Sequence, residues 1–301
     1  LIKIRRKIFN FLSYFESAMK IIRYKPDVVY SRTLTLAWLS TILRFPVIFE
    51  SHDPVVLFKG IRSGIFNRLM SSKKLMRIVV ISKPLKDSYC KYGIDEKMIL
   101  VAHDAANENN ATPLKFKNKK RLQVGYIGHL YKGRGIELIA SMAQRCEWAD
   151  FHIAGGMEND IKYWKSRYNN INNLKFHGFL DPSKVQSFMR GCSVLLAPYQ
   201  SIVEVLGGGN TVDWMSPLKI FEYMSSGVPI IASDLPSLRE ILIPGKTCLM
   251  CEYNNIEDWV RNLNSLKSDL LRREISESAK KVFIKSYTWD IRAQLVLDGV
   301  S

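Results

Sequence analysis

Long apolar runs are missing from this 301-residue chain: the stretch LTLAWLSTIL is short and closed by Arg44, so no spanning helix is expected. The hydrophobic residues near the start are interleaved with Lys and Arg rather than gathered in one block, which argues against a signal peptide. Cysteine is scarce. Cys90, Cys146, Cys192, Cys248 and Cys251 form no disulfide framework, and Cys248-x-x-Cys251 lacks the second pair or nearby His that a zinc site needs. Its apolar setting reads as a buried strand, and free thiols fit a reducing cytosol. There are no repeats, no low-complexity tracts and no recognised nucleic-acid-binding motif, so nucleic acid is not expected as a partner.

What is abundant is positive charge, and it is uneven. Of the net +16, residues 1–120 hold +14, from 23 Lys/Arg against 9 Asp/Glu. Residues 121–301 are nearly balanced at +2, with 21 against 19. That asymmetry implies an anionic partner for the first part: nucleic acid, a phospholipid surface or a phosphate-bearing substrate. The length suits two domains of ordinary size. The chain starts on Leu rather than Met, so an upstream segment is to be considered.

Residues 1–25 place Ile4, Ile8, Phe11, Phe15, Met19 and Ile22 at helical intervals among many basic residues. This is a core-packed helix with a solvated basic face or a membrane-surface helix, and core packing is the expectation. DVVYS, PVIFE, RIVVIS and residues 99–101 then read as strands, separated by helical stretches around 33–43, 65–72 and 83–92. Residues 104–121 are polar and aperiodic, as in a linker. A second series follows: strand LQVGYIG, helix 136–145, strand FHIAGG, a helix near 159–168, strand NLKFHGF, a helix opening at Asp181-Pro182, and strand SVLLAPY. From about Ile256 to Val300 the pattern is helical. Alternating strands and helices indicate an α/β fold with parallel sheets.

The most informative stretch is MSPLKIFEYMSSGVPIIASDLPSLREIL, residues 215–242. Ser216 reads as an N-cap and Pro217 as the first helical residue. Leu218, Phe221 and Met224 fall at helical spacing before Gly227, and Val228–Ala232 reads as a buried strand. The free N–H groups of such a helix start favour an anion, Lys219 adds a charge, and Glu222 could accept from ligand hydroxyls. An ordinary αβ unit with a solvated Lys and Glu is the plainer alternative. YIGHLYKGRG, residues 126–135, is a second strand–turn–helix start, with Gly128, Lys132 and Arg134 near the next helix. Strand ends of one sheet share an edge, so a diphosphate gripped by Arg134 and Lys219 is a concrete expectation.

In order, GYIGHLYKGRGIELI, FHIAG, FHGFLDPSKV, CSVLLAPY and SPLKIFEYMSSGVPIIASDLPSLREIL resemble the donor domain of family-four glycosyltransferases of bacterial type with the B-type fold. KPDVVYSRTLTLAWLSTILRFPVIFESHDP, VVISKPLKD and YGIDEKMILVAHDAAN resemble the later part of the acceptor domain, and YTWDIRAQLVL the helix that crosses back. The resemblance implies two Rossmann-like domains: an incomplete acceptor-side domain over 1–110, a linker at 111–120, a nucleotide-sugar domain over 121–275, and helices 276–301 packing back toward the first. It places the diphosphate on Gly128, His129, Arg134, Ser216, Pro217, Leu218 and Lys219, with His129 standing where the family has Arg. It puts ribose binding on Glu222 and the catalytic His on His52. Trp214 takes the position of the family's first Glu, a role for which Asp213 or nearby N–H groups are candidates. Gly207-Gly208-Gly209 is either a sugar-contacting loop or a surface loop.

The implied activity is metal-independent, retaining transfer from a nucleotide-diphosphate sugar to a glycan or lipid-linked acceptor, as in polysaccharide biosynthesis, with no cofactor. The sequence contains no Asp-x-Asp metal motif. The implied place is the cytoplasm, with an anionic membrane surface as a further partner. A nucleotide-sugar 2-epimerase, or a non-catalytic basic nucleic-acid- or membrane-binding protein on the same scaffold, are the rivals. His103, His152 and His177, in or beside apolar strands, read as satisfied core or edge residues.

Overall fold

The computed structural model describes residues 2–118, 120–203 and 210–300, and the chain divides into two compact units. One comprises Leu1–His103 with Gln294–Ser301, the other Asp104–Ala293. Gly207–Gly209 lie outside the described residues, as do the side chains of Ile4, Ile8 and Phe11.

The first unit opens with helix α1 (Ile2–Tyr24) and continues through β1 (Val29–Ser31), α2 (Leu34–Ile42), β2 (Val47–Ser51), α3 (Ile61–Met70), β3 (Leu75–Val80), α4 (Lys83–Lys91) and β4 (Ile99–Val101). Its four strands pair in parallel in the order β1-β2-β3-β4. Every residue of β2 is buried, as expected of a parallel strand covered on both faces. One sequence expectation fails here. Phe15, Met19 and Ile22 of α1 are 61%, 50% and 45% exposed, so this part of the apolar stripe is not packed in a core. The spacing defines a face; only a neighbouring surface buries one.

The second unit contains β5 (Leu122–Ile127), α5 (Ile136–Arg145), β6 (Ala149–Ala154), α6 (Glu158–Arg167), β7 (Leu174–Gly178), α7 (Pro182–Gly191) and β8 (Val194–Ala197). It continues with α8 (Leu218–Ser226), β9 (Ile230–Ser233), α9 (Pro236–Arg239), β10 (Leu249–Cys251), α10 (Ile256–Ser265), α11 (Asp269–Ser286) and the start of α12 (Trp289–Leu297). Its sheet is wholly parallel, ordered β10-β9-β8-β5-β6-β7. The order reverses between β5 and β8, so the chain leaves these neighbours in opposite directions and opens a crevice at their carboxyl ends. One face of the sheet packs under α8 and α11 through Phe221, Met224, Ala279 and Phe283. The other packs under α5 and α10 through Ile136, Ile139, Trp259 and Leu263. Cys248 and Cys251 are buried, as their apolar setting implies.

Two boundaries differ from the sequence reading. Residues 104–121 are largely irregular, but they are held on the second unit rather than hanging free. Ala106 bridges to Thr288, the Leu114 N–H donates to the Ser187 carbonyl, and Phe116 stacks on His152 with centroids 4.1 Å apart. Of the helices over 276–301, α11 stays in the second unit through its contacts with α8, and the residues grouped with the first unit are Gln294–Ser301. There the Arg77 guanidinium donates to the carbonyls of Val296 and Asp298 at 3.0 and 2.9 Å.

Candidate active site

The crevice at the ends of β5 and β8 gathers most of the residues singled out from sequence. Gly128 follows β5 with φ +146°, and a Cβ there would lie 3.0 Å from the Lys219 Nζ. Glycine thus leaves room for the amine. Lys219 lies in the first turn of α8, with its Nζ 3.9 Å from the ring centre of Tyr126 and 5.1 Å from that of Tyr199. Arg134, from the turn before α5, sits over the same Tyr199 ring at 5.4 Å. Its Nε is buried without a hydrogen-bond partner. Among the described residues neither cation is within ion-pair distance of a carboxylate, and the Glu222 carboxylate acts on Lys219 only from further off.

The framework around these cations is tightly fixed. The Tyr126 hydroxyl donates to the His129 carbonyl at 2.7 Å, and the Ile127 N–H donates to the Tyr223 hydroxyl at 3.0 Å, which ties α8 to β5. Gly135, at φ +79°, starts α5 where any Cβ would strike the Pro198 carbonyl, so α5 and the end of β8 approach closely.

This crowding has electrostatic consequences. Desolvation, and then Arg134, push the Lys219 amine well below the usual lysine range, with Glu222 opposing. His129 is also shifted down by desolvation, Arg134 and Lys219, and its ring stacks parallel to Tyr131 at 4.8 Å. Burial pushes the Tyr199 phenol up to about 12, so it remains a neutral ring beneath the two cations.

The start of α8 differs by one residue from the sequence reading. Pro217 is the N-cap and Leu218 the first helical residue. The Ser216 hydroxyl accepts from the Asp104 N–H at 3.0 Å instead of capping the helix. A tertiary partner outcompetes the local one, and α8 begins without a side-chain cap. Glu222 lies one turn further on, lining a hollow of about 380 Å³ with Phe179, Leu180, Val185, Met189 and Trp289. Although Glu222 is exposed to that hollow, the surrounding protein desolvates its carboxyl and raises its pKa, with Lys219 opposing. Asp213 is exposed and Trp214 partly buried, in the loop before α8.

His52 belongs to the first unit, just after β2. Its Nδ1 accepts from the Arg32 guanidinium at 3.0 Å and its Nε2 pairs with Glu50 Oε1 at 2.6 Å. Arginine can only donate, so the ring carries its proton on Nε2. Glu50 is buried at 3% exposure, which fixes the ring's direction. Sequence reasoning missed Arg32 and Glu50, and it assigned no role to Tyr126 or Tyr199. Glu50, an acid inside the apolar strand PVIFE, was the one legible signal. His103 and His152 are satisfied as expected: His103 Nδ1 meets the Ile81 carbonyl at 2.9 Å, while His152 bridges His177 and Gln123 at 2.9 and 2.8 Å.

A doubly wound parallel sheet with two cations gathered at its switch point fits the architecture of a nucleotide-binding α/β domain. Residues 108–282 match the family model for glycosyl transferases group 1, and the chain belongs to that family, as a glycosyltransferase. It is 25% identical over 266 residues to the uncharacterized glycosyltransferase MJ1178 of Methanocaldococcus jannaschii, covering 84% of this chain and 68% of that protein. It is 23% identical to MJ1069 of the same organism, covering 94% and 76%. Among solved structures, Anabaena HepE in complex with UDP superposes with a TM-score of 0.72 at 14% identity, over 95% of this chain and 80% of that one. Sucrose-phosphate synthase from Thermosynechococcus elongatus gives 0.71 at 17% identity, over 97% and 78%. The fold is the B-type glycosyltransferase fold, with two Rossmann-like domains.

Proposed function

We propose that this glycosyltransferase takes a sugar from a nucleoside diphosphate sugar held by the second unit and transfers it to a hydroxyl acceptor. The observation that carries the reading is the approach of Arg134 and Lys219 to the Tyr199 ring, with the Lys219 amine beside Gly128 and no ion pair to a carboxylate for either cation among the described residues. A diphosphate laid across Gly128 provides the missing negative charge. It also meets the uncapped N–H groups of α8, with Leu218 in the first turn and His129 at the rim. Glu222 then accepts from the ribose hydroxyls, and the hollow between Phe179 and Trp289 takes the base. HepE structures with UDP, with UDP-glucose, and with UDP and glucose support a nucleotide sugar and a sugar as partners.

The chemistry proposed is electrostatic: fixed cations and helix N–H groups stabilise charge developing on the departing diphosphate. Two cationic side chains then supply what a divalent metal supplies in other transferases, so no essential metal is required. His52, held by Arg32 and Glu50, is the residue of the first unit assigned to transfer with retention of configuration. The acceptor is a glycan or lipid-linked glycan precursor, and the place of action is cytoplasmic.

Titration calorimetry with a panel of nucleoside diphosphates tests the donor site directly. At least one should bind, and Arg134→Ala should weaken it. Turnover of the matching nucleotide sugar, followed by NMR of the product anomer, tests transfer and retention. Binding of none, or binding indifferent to Arg134, removes the proposed site.

A further inference from the structure

The first unit carries apolar side chains that its own core does not use. After β2 the chain passes through a short 3-10 turn, Val55–Leu57, pinned inward by Val55 and Phe58 at 3% and 7% exposure. Phe58 packs on Phe66 with centroids 5.1 Å apart, and Phe66 meets Tyr89 edge-on. Anchored in this way, the run holds Val56, Leu57 and Ile61 outward at 69%, 46% and 85% exposure. Val56 also lines a hollow of about 410 Å³ with Lys91 and the exposed Tyr92, at the end of α4. Single exposed aliphatics are ordinary, but three held out by two buried anchors in one short run are not.

The charge around them is one-sided. Residues 54–92 contain nine Lys/Arg and a single acid, Asp87, a balance of +8 that is half the net charge of the chain. Lys59, Arg62 and Lys91 are exposed beside the apolar residues, with Arg62 over the Phe58 ring at 5.0 Å and 3.7 Å from Asp53. Asp87 lies in the hollow. Helix α1 also exposes Phe15, Met19 and Ile22, beside Arg23 and a Lys20 that is paired with Glu16 at 2.7 Å. Among the described residues no helix is long and apolar enough to cross a membrane.

We infer that this surface docks on an anionic lipid bilayer, with Val56, Leu57 and Ile61 entering the headgroup region and Lys59, Arg62 and Lys91 meeting lipid phosphates. Aliphatic tips gain the acyl boundary while long cationic side chains keep their heads at the phosphate level. An acidic soluble partner would satisfy the cations but leave the aliphatic tips in water. The inference does not depend on the nucleotide-sugar reading.

The test uses the full chain in co-sedimentation with phosphatidylcholine vesicles, with and without phosphatidylglycerol. Binding should require phosphatidylglycerol and fall steeply between low and physiological salt. The double variant Lys59→Gln/Arg62→Gln should bind roughly thirtyfold more weakly, each charge near an anionic leaflet being worth about 1 kcal/mol. Val56→Ser/Ile61→Ser should bind about tenfold more weakly to the same vesicles. The far-ultraviolet circular dichroism and melting temperature of the same preparations should match wild type, which reports that the variants are folded. Absence of binding, equal binding to neutral vesicles, or full binding by the apolar double variant would each overturn the inference.

Discussion

Replacing Lys219 by methionine should stabilise the free protein and weaken its grip on a nucleoside diphosphate, two effects of opposite sign from one amine. In the free protein the amine faces Tyr126, Tyr199 and Arg134, with the Glu222 carboxylate favouring its charge. Because its pKa is depressed, folded Lys219 binds fewer protons than unfolded Lys219. The resulting cost to stability is full below the folded pKa and shrinks as pH rises from there toward the ordinary 10.5. Methionine keeps the length, fills the same space and removes that cost, a gain of about 0.5–2 kcal/mol. In a unit of this size each kcal/mol is about 2–4 °C in Tm. With a diphosphate present the balance reverses, since one lost charge-assisted contact costs about 1.5–3 kcal/mol, or roughly ten- to a hundredfold in Kd. The bound anion also restores the amine's proton, so wild-type affinity should rise as pH falls, and more steeply than in the variant. Scanning calorimetry without ligand and titration calorimetry over a pH series read both arms. A Lys219→Met protein that melts lower than wild type and binds nucleotide equally well would refute the reasoning.

The other expectations are simpler. Arg134→Ala should weaken nucleoside diphosphate binding at least about tenfold by calorimetry, since the cation has no other described anionic partner. Gly128→Ala should cost about 1 kcal/mol or more in a denaturant titration, because φ is +146° and the new Cβ presses on the Lys219 amine; nucleotide affinity should fall with it. Stability should drop as pH falls from 6.5 toward about 3, the value to which burial, with His177 and Lys175, lowers His152. Urea midpoints across that range should show the slope, and His152→Asn should flatten it. Turnover should survive excess EDTA, and its loss with recovery on added Mg²⁺ would contradict a diphosphate held by side chains alone.

Much of the donor side could be read without coordinates because its signals are local. A proline at the head of a helix, a glycine at its end and an apolar strand beyond are written contiguously in 215–242, and the structure has α8, Gly227 and β9 there. Gly128, Arg134, Lys219 and Glu222 stand out for the same reason, being short-range departures from an apolar pattern. What could not be read was competition between local and distant partners. Ser216 is a sound cap in isolation, but the Asp104 N–H, 112 positions away, takes its hydroxyl. The polar stretch 104–121 reads as a linker because nothing local shows that Phe116 will stack on His152.

Sequence by itself determined the elements, their parallel character and the family, since periodicity, capping residues and ordered motifs need only neighbours along the chain. It also determined the charge imbalance, which is a property of composition. The meeting of Arg134 and Lys219 is an expectation from the shared sheet edge; tertiary structure alone decided which rings they meet on. Tyr126, Arg134, Tyr199 and Lys219 become neighbours because β5 and β8 adjoin at the switch point. Tertiary structure also decided exposure: the stripe of α1 and the run from Val56 to Ile61 are apolar in sequence, yet what the rest of the chain packs against leaves them facing solvent. A side chain's type fixes what it can do in water or out of it, but burial and electrostatic neighbours are set by packing between segments far apart in sequence.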